Sequence, residues 1–265
     1  MKTKISMITI MVLLGSAICI AQASLTADQI IERYKTATAI EDLQSTLAYK
    51  NISKKGRVQE RKLEQYILKN ENGKDTYNFL LKFVAPSDVK NTATLTIQHE
   101  QEEDDQWLYL PVIRSAKRIS ASKKSDRFMG TEMSYEDLSN YLSEPNEKYS
   151  YELLGQDAVF GREAYHIVAT PRSKTNTQYS KRELWIDSKT YLMTKCDFYN
   201  KKGKLNKRYT ANDIRTIKGT DYSRAHFVSL QNLLTNNTTE VRYEGFQINK
   251  GVDSGIFSRS YIETL

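Results

Sequence analysis

The chain has 265 residues, a formal net charge of +7, 39% hydrophobic residues and two cysteines. That balance is mildly basic, so it favours anionic membrane surfaces or acidic partners, and in an exported chain it makes no case for nucleic acid. Cys19 falls in the leader described next and only Cys196 is left, which excludes an intrachain disulfide and leaves stability to core burial and the sheet ladder.

Residues 1–23 read as an export signal: Lys2 and Lys4 give the positive start, Ile5 to Ile20 the apolar core, and Ala21-Gln22-Ala23 the small-x-small cleavage site. The apolar core is short for a retained membrane span. Ile18 also stands before Cys19, where a lipid-modified cysteine needs a small neighbour. Cleavage after Ala23 removes 23 of the 265 residues to leave 242, and it removes two lysines and no acid, so +7 becomes +5. From 24 to 265 there is no internal repeat, low-complexity tract or Pro/Gly/Ser-rich linker, and a single domain is expected.

Thr26 to about Thr36 predicts an amphipathic helix, with Thr26 and Gln29 as a capping box and Ile30, Ile31 and Tyr34 as one apolar stripe. From Asp42 the period becomes two. Leu43, Ser45, Leu47 and Tyr49 share a face, Lys54-Lys55-Gly56 turns, and Val58 to Lys69 returns as a second long strand. After an Asn72-Gly73 turn, Tyr77, Phe79, Leu81 and Phe83 alternate with Asn78, Leu80, Lys82 and Val84; Leu95 and Ile97 continue the pattern against Thr94 and Thr96. The acidic run Glu100 to Asp105 predicts a solvated hairpin tip. Trp107 and Tyr109 alternate along the next strand, which Pro111 closes because proline cannot donate to a ladder.

A basic segment follows: Arg114, Lys117, Arg118, Lys123, Lys124 and Arg127 stand against the single acid Asp126, either as a solvated connection or as a docking surface for something anionic. Phe128-Met129-Gly130 comes next, then Ser134-Tyr135-Glu136-Asp137-Leu138, an N-capped helix start. That helix is expected to reach Leu142, with Leu138, Tyr141 and Leu142 on one face and Pro145 ending it. Strands are expected at Tyr149 to Leu154 and Glu163 to Ala169, joined around Gly155 to Gly161. Further strands follow at Arg182 to Ile186, Tyr191 to Tyr199, Leu205 to Ile217, Ala225 to Leu234 and Thr239 to Asn249. A short helical turn at Asp253 to Ile256 precedes a terminal strand. About eleven strands at even spacing, with two main helices, indicate a barrel or a sandwich.

The chain offers little to catalysis. His99, His166 and His226 each stand alone in a strand or at its end, and no HExxH, CxxC pair, GxSxG or phosphate-cradling glycine loop occurs. His99 with Glu100, Glu102, Glu103, Asp104 and Asp105 matches no calcium-loop spacing. No metal or other cofactor is expected. The 17 Tyr, 8 Phe and 2 Trp say more: they fill a small closed barrel, or they line a cavity in a wider or incomplete one.

The run from Phe83 to Leu138 resembles the LolA-like family of outer-membrane lipoprotein-sorting proteins. It does so through Pro86-Ser87-Asp88-Val89-Lys90, Trp107-Leu108-Tyr109-Leu110-Pro111, Lys117-Arg118-Ile119, Phe128-Met129-Gly130 and Ser134-Tyr135-Glu136-Asp137-Leu138, and more loosely through Phe257-Ser258-Arg259. Asn91 replaces the family's glycine after Asp-Val-Lys, a change that alters only a turn because asparagine tolerates left-handed backbone. The resemblance implies a mainly β protein of the periplasm of a Gram-negative bacterium: an incomplete, strongly curved antiparallel β-barrel with helices over its mouth and an apolar interior for acyl chains. It implies a carrier of lipid or lipoprotein acyl chains between membranes, with an inner-membrane transporter and an outer-membrane acceptor as partners and transient contact with the membrane surface.

On alternation, the residues expected to face that interior are Phe79, Leu81, Phe83, Leu95, Ile97, Trp107 and Tyr109, with Phe128 and Met129 at a mobile edge. A register error of one residue would turn a whole set outward. Arg114, Lys117, Arg118, Lys123 and Lys124 are the docking candidates. Two other readings stay open: a lipid ester hydrolase on the same scaffold, which needs a serine beside a histidine in the cavity, and a lipid-sensing accessory subunit of a membrane exporter.

Overall fold

The computed structural model describes residues 25–71, 75–100, 102–139, 148–173 and 175–265. The expected export signal, the expected Asn72-Gly73 turn and the far half of the expected Ser134 helix, with Tyr141, Leu142 and Pro145, lie outside the described residues. Thr26 caps helix α1 (Ala27–Thr38) with the expected capping box, and Ile30, Ile31 and Tyr34 are buried on one stripe. Among the described residues, no helix is long and apolar enough to cross a membrane.

Among the described residues thirteen strands follow, rather than about eleven. The first group is β1 (Asp42–Ile52), β2 (Val58–Lys69), β3 (Tyr77–Ala85), β4 (Ala93–Ile97), β5 (Asp105–Leu110) and β6 (Ser115–Arg118). After a short helix α2 (Tyr135–Ser139) come β7 (Tyr149–Val159), β8 (Arg162–Pro171), β9 (Tyr179–Asp187), β10 (Met193–Asn200), β11 (Leu205–Thr216), β12 (Ser223–Asn232) and β13 (Asn237–Ile248). They form one antiparallel sheet in the order β6-β5-β4-β3-β2-β1-β13-β12-β11-β10-β9-β8-β7. Every neighbouring pair is sequential except β1 with β13, which joins two meanders into a single curved, open sheet with β6 and β7 as its free edges.

Local sequence explains the turns. Asn91 takes φ 65°, the left-handed backbone in which asparagine replaces glycine at small cost. The Asp187 carboxylate accepts from the Lys189 and Thr190 N–H groups to close the β9–β10 turn. Where the sequence suggested a connection from Gly155 to Gly161, β7 instead runs on to Val159. Gly155, at φ 148°, sits at a register shift between Leu153 and Gly155, and a bulge there lets the strand continue. The basic segment likewise holds a short edge strand, β6.

The sheet's register sorts its faces. Leu47 and Tyr49 of β1 stand opposite Tyr243 and Val241 of β13, Leu47 opposite Leu63 of β2, and Leu63 opposite Phe83 of β3, all turned to the concave side. Helix α1 covers the other wing on the same side, packing Ile30, Ile31 and Tyr34 onto Tyr149, Ile167, Leu184, Ile186 and Cys196. Each such fully buried aliphatic side chain contributes about 1.5–3 kcal/mol. On the convex side, the expected helical turn forms at Ser254–Ile256, but the expected terminal strand is instead a short helix, α3 (Arg259–Ile262), capped by Ser258. Phe257 and Ile262 from this segment cover Leu80, Ala93, Leu95, Tyr109 and Ala116.

Candidate functional site

Among the described residues the concave side encloses three adjoining hollows. The central one, about 110 Å³, is lined mainly by Tyr34, Tyr149, Phe198, Tyr209, Val228, Leu230, Val241 and Tyr243. It shares Met133, Thr239, Val241 and Tyr243 with a neighbour of about 50 Å³ under β1–β4, and Tyr34, Met193, Tyr209 and Val228 with one of about 80 Å³ on its other flank. A cavity of roughly 150 Å³ takes one benzene-sized guest, so each compartment as it stands admits only part of a hydrocarbon chain.

The described part of the connection after β6, residues 119–139, packs into the concave side as a plug. Phe128 is 2% exposed, its ring 5.9 Å from Phe83 and 5.8 Å from Tyr135, and Phe128, Met133 and Leu138 line the small hollow. Side chains, not a ladder, hold most of this segment. Glu132 donates its N–H to the Thr239 hydroxyl (2.8 Å), and its carboxylate accepts from Asn232 (2.9 Å) and pairs with Arg127. Ser134 accepts from Gln178 (2.8 Å), and Glu136 accepts from the Thr177 hydroxyl and the Gln178 N–H. Gln106 of β5 donates to the Tyr135 carbonyl (3.0 Å), so the plug is bonded to both wings. The neutral bonds among these contribute about 0.5–1.5 kcal/mol each, and those to the Glu132 and Glu136 carboxylates about 1.5–3 kcal/mol. Met129 sits at φ 45°, a conformation that costs a bulky residue about 1–3 kcal/mol, and Gly130 follows at φ 78°.

A further tether is a buried ion pair. Asp137 accepts from Lys207 Nζ (2.9 Å), the Tyr179 hydroxyl (2.7 Å) and the Ser134 N–H (2.8 Å), with both charged side chains under one-tenth exposed. Burial pushes the Asp137 carboxyl up, but the Lys207 charge, the Ser134 N–H and the Tyr179 hydroxyl outweigh it and hold the group below the ordinary carboxylate range. Burial, and then the Asp137 charge, push the Tyr179 hydroxyl well above its usual value, so it remains a donor.

The structure divides the residues expected at the cavity. Phe79, Leu81 and Phe83 do face inward, and Phe79 and Leu81 line the small hollow. Leu95, Ile97, Trp107 and Tyr109 do not: they lie on the convex side beneath the C-terminal segment, while Thr94, Thr96 and Gln106 take the inward positions. The reason is that β3 carries apolar residues on both faces, with Leu80 and Val84 alternating with Asn78 and Lys82 on the outer one. Leu80, not Phe79 or Leu81, stands opposite Leu95, which in turn faces Trp107, so the apolar set passes to the other side at the β3–β4 pairing. Phe128 and Met129 belong to the packed plug rather than to a free edge.

Among the docking candidates, Arg118 pairs with Asp105 and Lys124 with Glu103, which leaves Arg114, Lys117 and Lys123 exposed and unpaired among the described residues. Beside Arg114, at the tip of the β5–β6 hairpin, Val112 is 94% exposed and Ile113 also points to solvent. Sequence reasoning passed over this apolar tip, and over Met133, Tyr209, Val228, Val241 and Tyr243 in the hollow. Alternation within β12 and β13 carried the signal for the last three.

Among the described residues, no group of three or more His, Cys, Asp or Glu side chains could hold a metal ion. None of the three histidines bonds a hydroxyl or thiol there: His99 meets Asp105 (3.1 Å), His166 lies between Asp157 and Glu183 and stacks on Trp185, and His226 meets the Arg224 carbonyl.

The fold and the hollow define an open antiparallel β-barrel with an apolar interior stoppered by its own connecting segment. A crystal structure described as an outer membrane lipoprotein-sorting protein domain from Vibrio parahaemolyticus matches with a TM-score of 0.81 at 30% identity, covering 90% of this chain and 98% of its own. The chain belongs to this LolA-like family of outer-membrane lipoprotein-sorting proteins. A DUF1329 family protein from Desulfovibrio piger matches with a TM-score of 0.82 at 26% identity, over 88% of this chain and 96% of its own. A LolA superfamily protein from Nitrosomonas europaea, at 17% identity and TM-score 0.68 over 90% and 100%, shares the fold. A family profile described as uncharacterized protein matches residues 75–264, and no curated protein sequence matches.

Proposed function

We propose that this protein is a single-domain periplasmic carrier that takes lipid or lipoprotein acyl chains into its concave hollow and hands them from one membrane to another. The observation that carries this reading is the set of adjoining apolar compartments closed by a plug that side chains hold in place. Burying a methylene is worth about 0.8 kcal/mol, so a long chain can offset the plug's tethers and displace Phe128, Met133 and Leu138 from the space they occupy. The same balance makes release possible, because the plug refills the hollow as the chain leaves.

Native mass spectrometry of the protein taken from its own periplasm is expected to give acyl-bearing adducts that organic extraction removes. Identical spectra before and after extraction would sink the carrier reading.

The β5–β6 tip fits a transient membrane contact: Val112 and Ile113 enter the interface while Arg114 and Lys117 meet anionic headgroups. Binding to anionic vesicles should weaken with salt and again when Arg114 and Lys117 become Glu. Vesicle binding indifferent to both changes would exclude this surface. Hand-off to a membrane transporter and an outer-membrane acceptor follows from the same carrier role.

A further inference from the structure

A basin of about 800 Å³ opens beside the plug, where the β1–β2 turn meets β13. Lys54, Lys55 and Arg57 rim it, all exposed, and none has an ion-pair partner among the described residues. Arg127 lines it from the plug, and its one acid, Glu132, is already held by Arg127 and Asn232. The basin therefore carries an uncompensated positive field. It also adjoins the hollow, since Thr239 lines the basin and both of the nearer compartments.

A buried donor stands in the same wall. The Thr239 hydroxyl accepts from the Glu132 N–H, so its own hydrogen goes to Asn51 Oδ1 (2.9 Å), which fixes the orientation of the Asn51 amide. Asn51 is 9% exposed, lines the basin, and its Nδ2 has no hydrogen-bond partner. A buried N–H without an acceptor is costly, and an anionic oxygen arriving from the basin would relieve it.

Resting on the carrier reading, we propose that this basin seats the anionic, phosphate-bearing headgroup of the amphiphile whose hydrocarbon tail runs into the hollow past Thr239. The protein then selects acidic lipids over zwitterionic ones of the same chain. The cations act through their summed field, and the Asn51 amide is an unpartnered donor in the wall beside them.

The test uses the delipidated full chain and displacement of a fluorescent fatty-acid probe by lysophosphatidylglycerol and lysophosphatidylcholine of identical chain, both below their micellar concentrations. The acidic lipid is expected to displace the probe at about tenfold lower concentration, and the gap should shrink with salt and close in the Lys54→Glu, Arg57→Glu double variant. Equal potency in the unaltered protein, or a preference that survives the double variant, overturns the proposal. So does displacement by glycerol phosphate at the concentration of the acidic lipid, which would make the basin a plain anion site. If the fatty-acid probe itself fails to bind, the carrier reading falls and this inference with it.

Discussion

Replacing Lys207 with Met is expected to lower stability by about 3–5 kcal/mol at neutral pH, because it strands the Asp137 carboxylate in the interior without its counter-charge. Chemical denaturation should show the loss as an earlier midpoint with little change of slope. The pH dependence gives a sharper reading. In the native protein the Asp137 carboxyl lies below its ordinary range, so its contribution is fully present above the unfolded-state value of about 3.9 and drains away as pH falls below that toward the folded value. Without Lys207, burial dominates and the carboxyl is raised, so the ionised group costs most at neutral pH and the variant closes on the parent protein as acid is added. Adding Asp137→Leu to Lys207→Met should restore part of the loss, since it removes the stranded charge but leaves the Tyr179 hydroxyl and the Ser134 N–H without their acceptor. A variant whose deficit is the same at every pH would mean that Lys207 matters only for packing.

Phe128→Ala should cost about 3–5 kcal/mol of stability, the usual range for emptying a buried aromatic site, yet bind an acyl probe more tightly. The ring occupies space that a guest must take. Removing it destabilises the closed, empty form alone, and every 1.4 kcal/mol of that difference returned to binding is about tenfold in affinity. Phe83→Ala is the contrast, because Phe83 is a wall residue on β3 that a guest would touch. It should lose stability without the gain in affinity. If Phe128→Ala loses stability and affinity together, Phe128 is wall as well, and the plug is not what the ligand displaces.

Much of the scaffold was legible before any coordinates. The capping box at Thr26, the strand from Val58 to Lys69, the left-handed backbone at Asn91 and the cap at Ser134 are local decisions, and local chemistry settles them. The site was legible by halves. Period two identified the apolar rows on β4 and β5 correctly, but it cannot say which side of the sheet an apolar row faces when a neighbour such as β3 has apolar residues on both sides. That choice was made by the C-terminal segment, which covers Leu95 and Tyr109 from the convex side. The Asp137–Lys207 pair was illegible for a different reason: its members lie 70 residues apart, and nothing in either segment marks a charge as buried.

The joint between β1 and β13 has a consequence for biosynthesis. A ribosome releases residues 42–52 long before 237–248, so one margin of the first-made meander stays bare while the remainder of the sheet is assembled. An uncovered row of amides and carbonyls is a template for any passing strand, so the nascent chain is most at risk of pairing with a stranger during that interval. A holding factor that shields this margin until the last strand arrives would raise the yield of protein without altering its final stability.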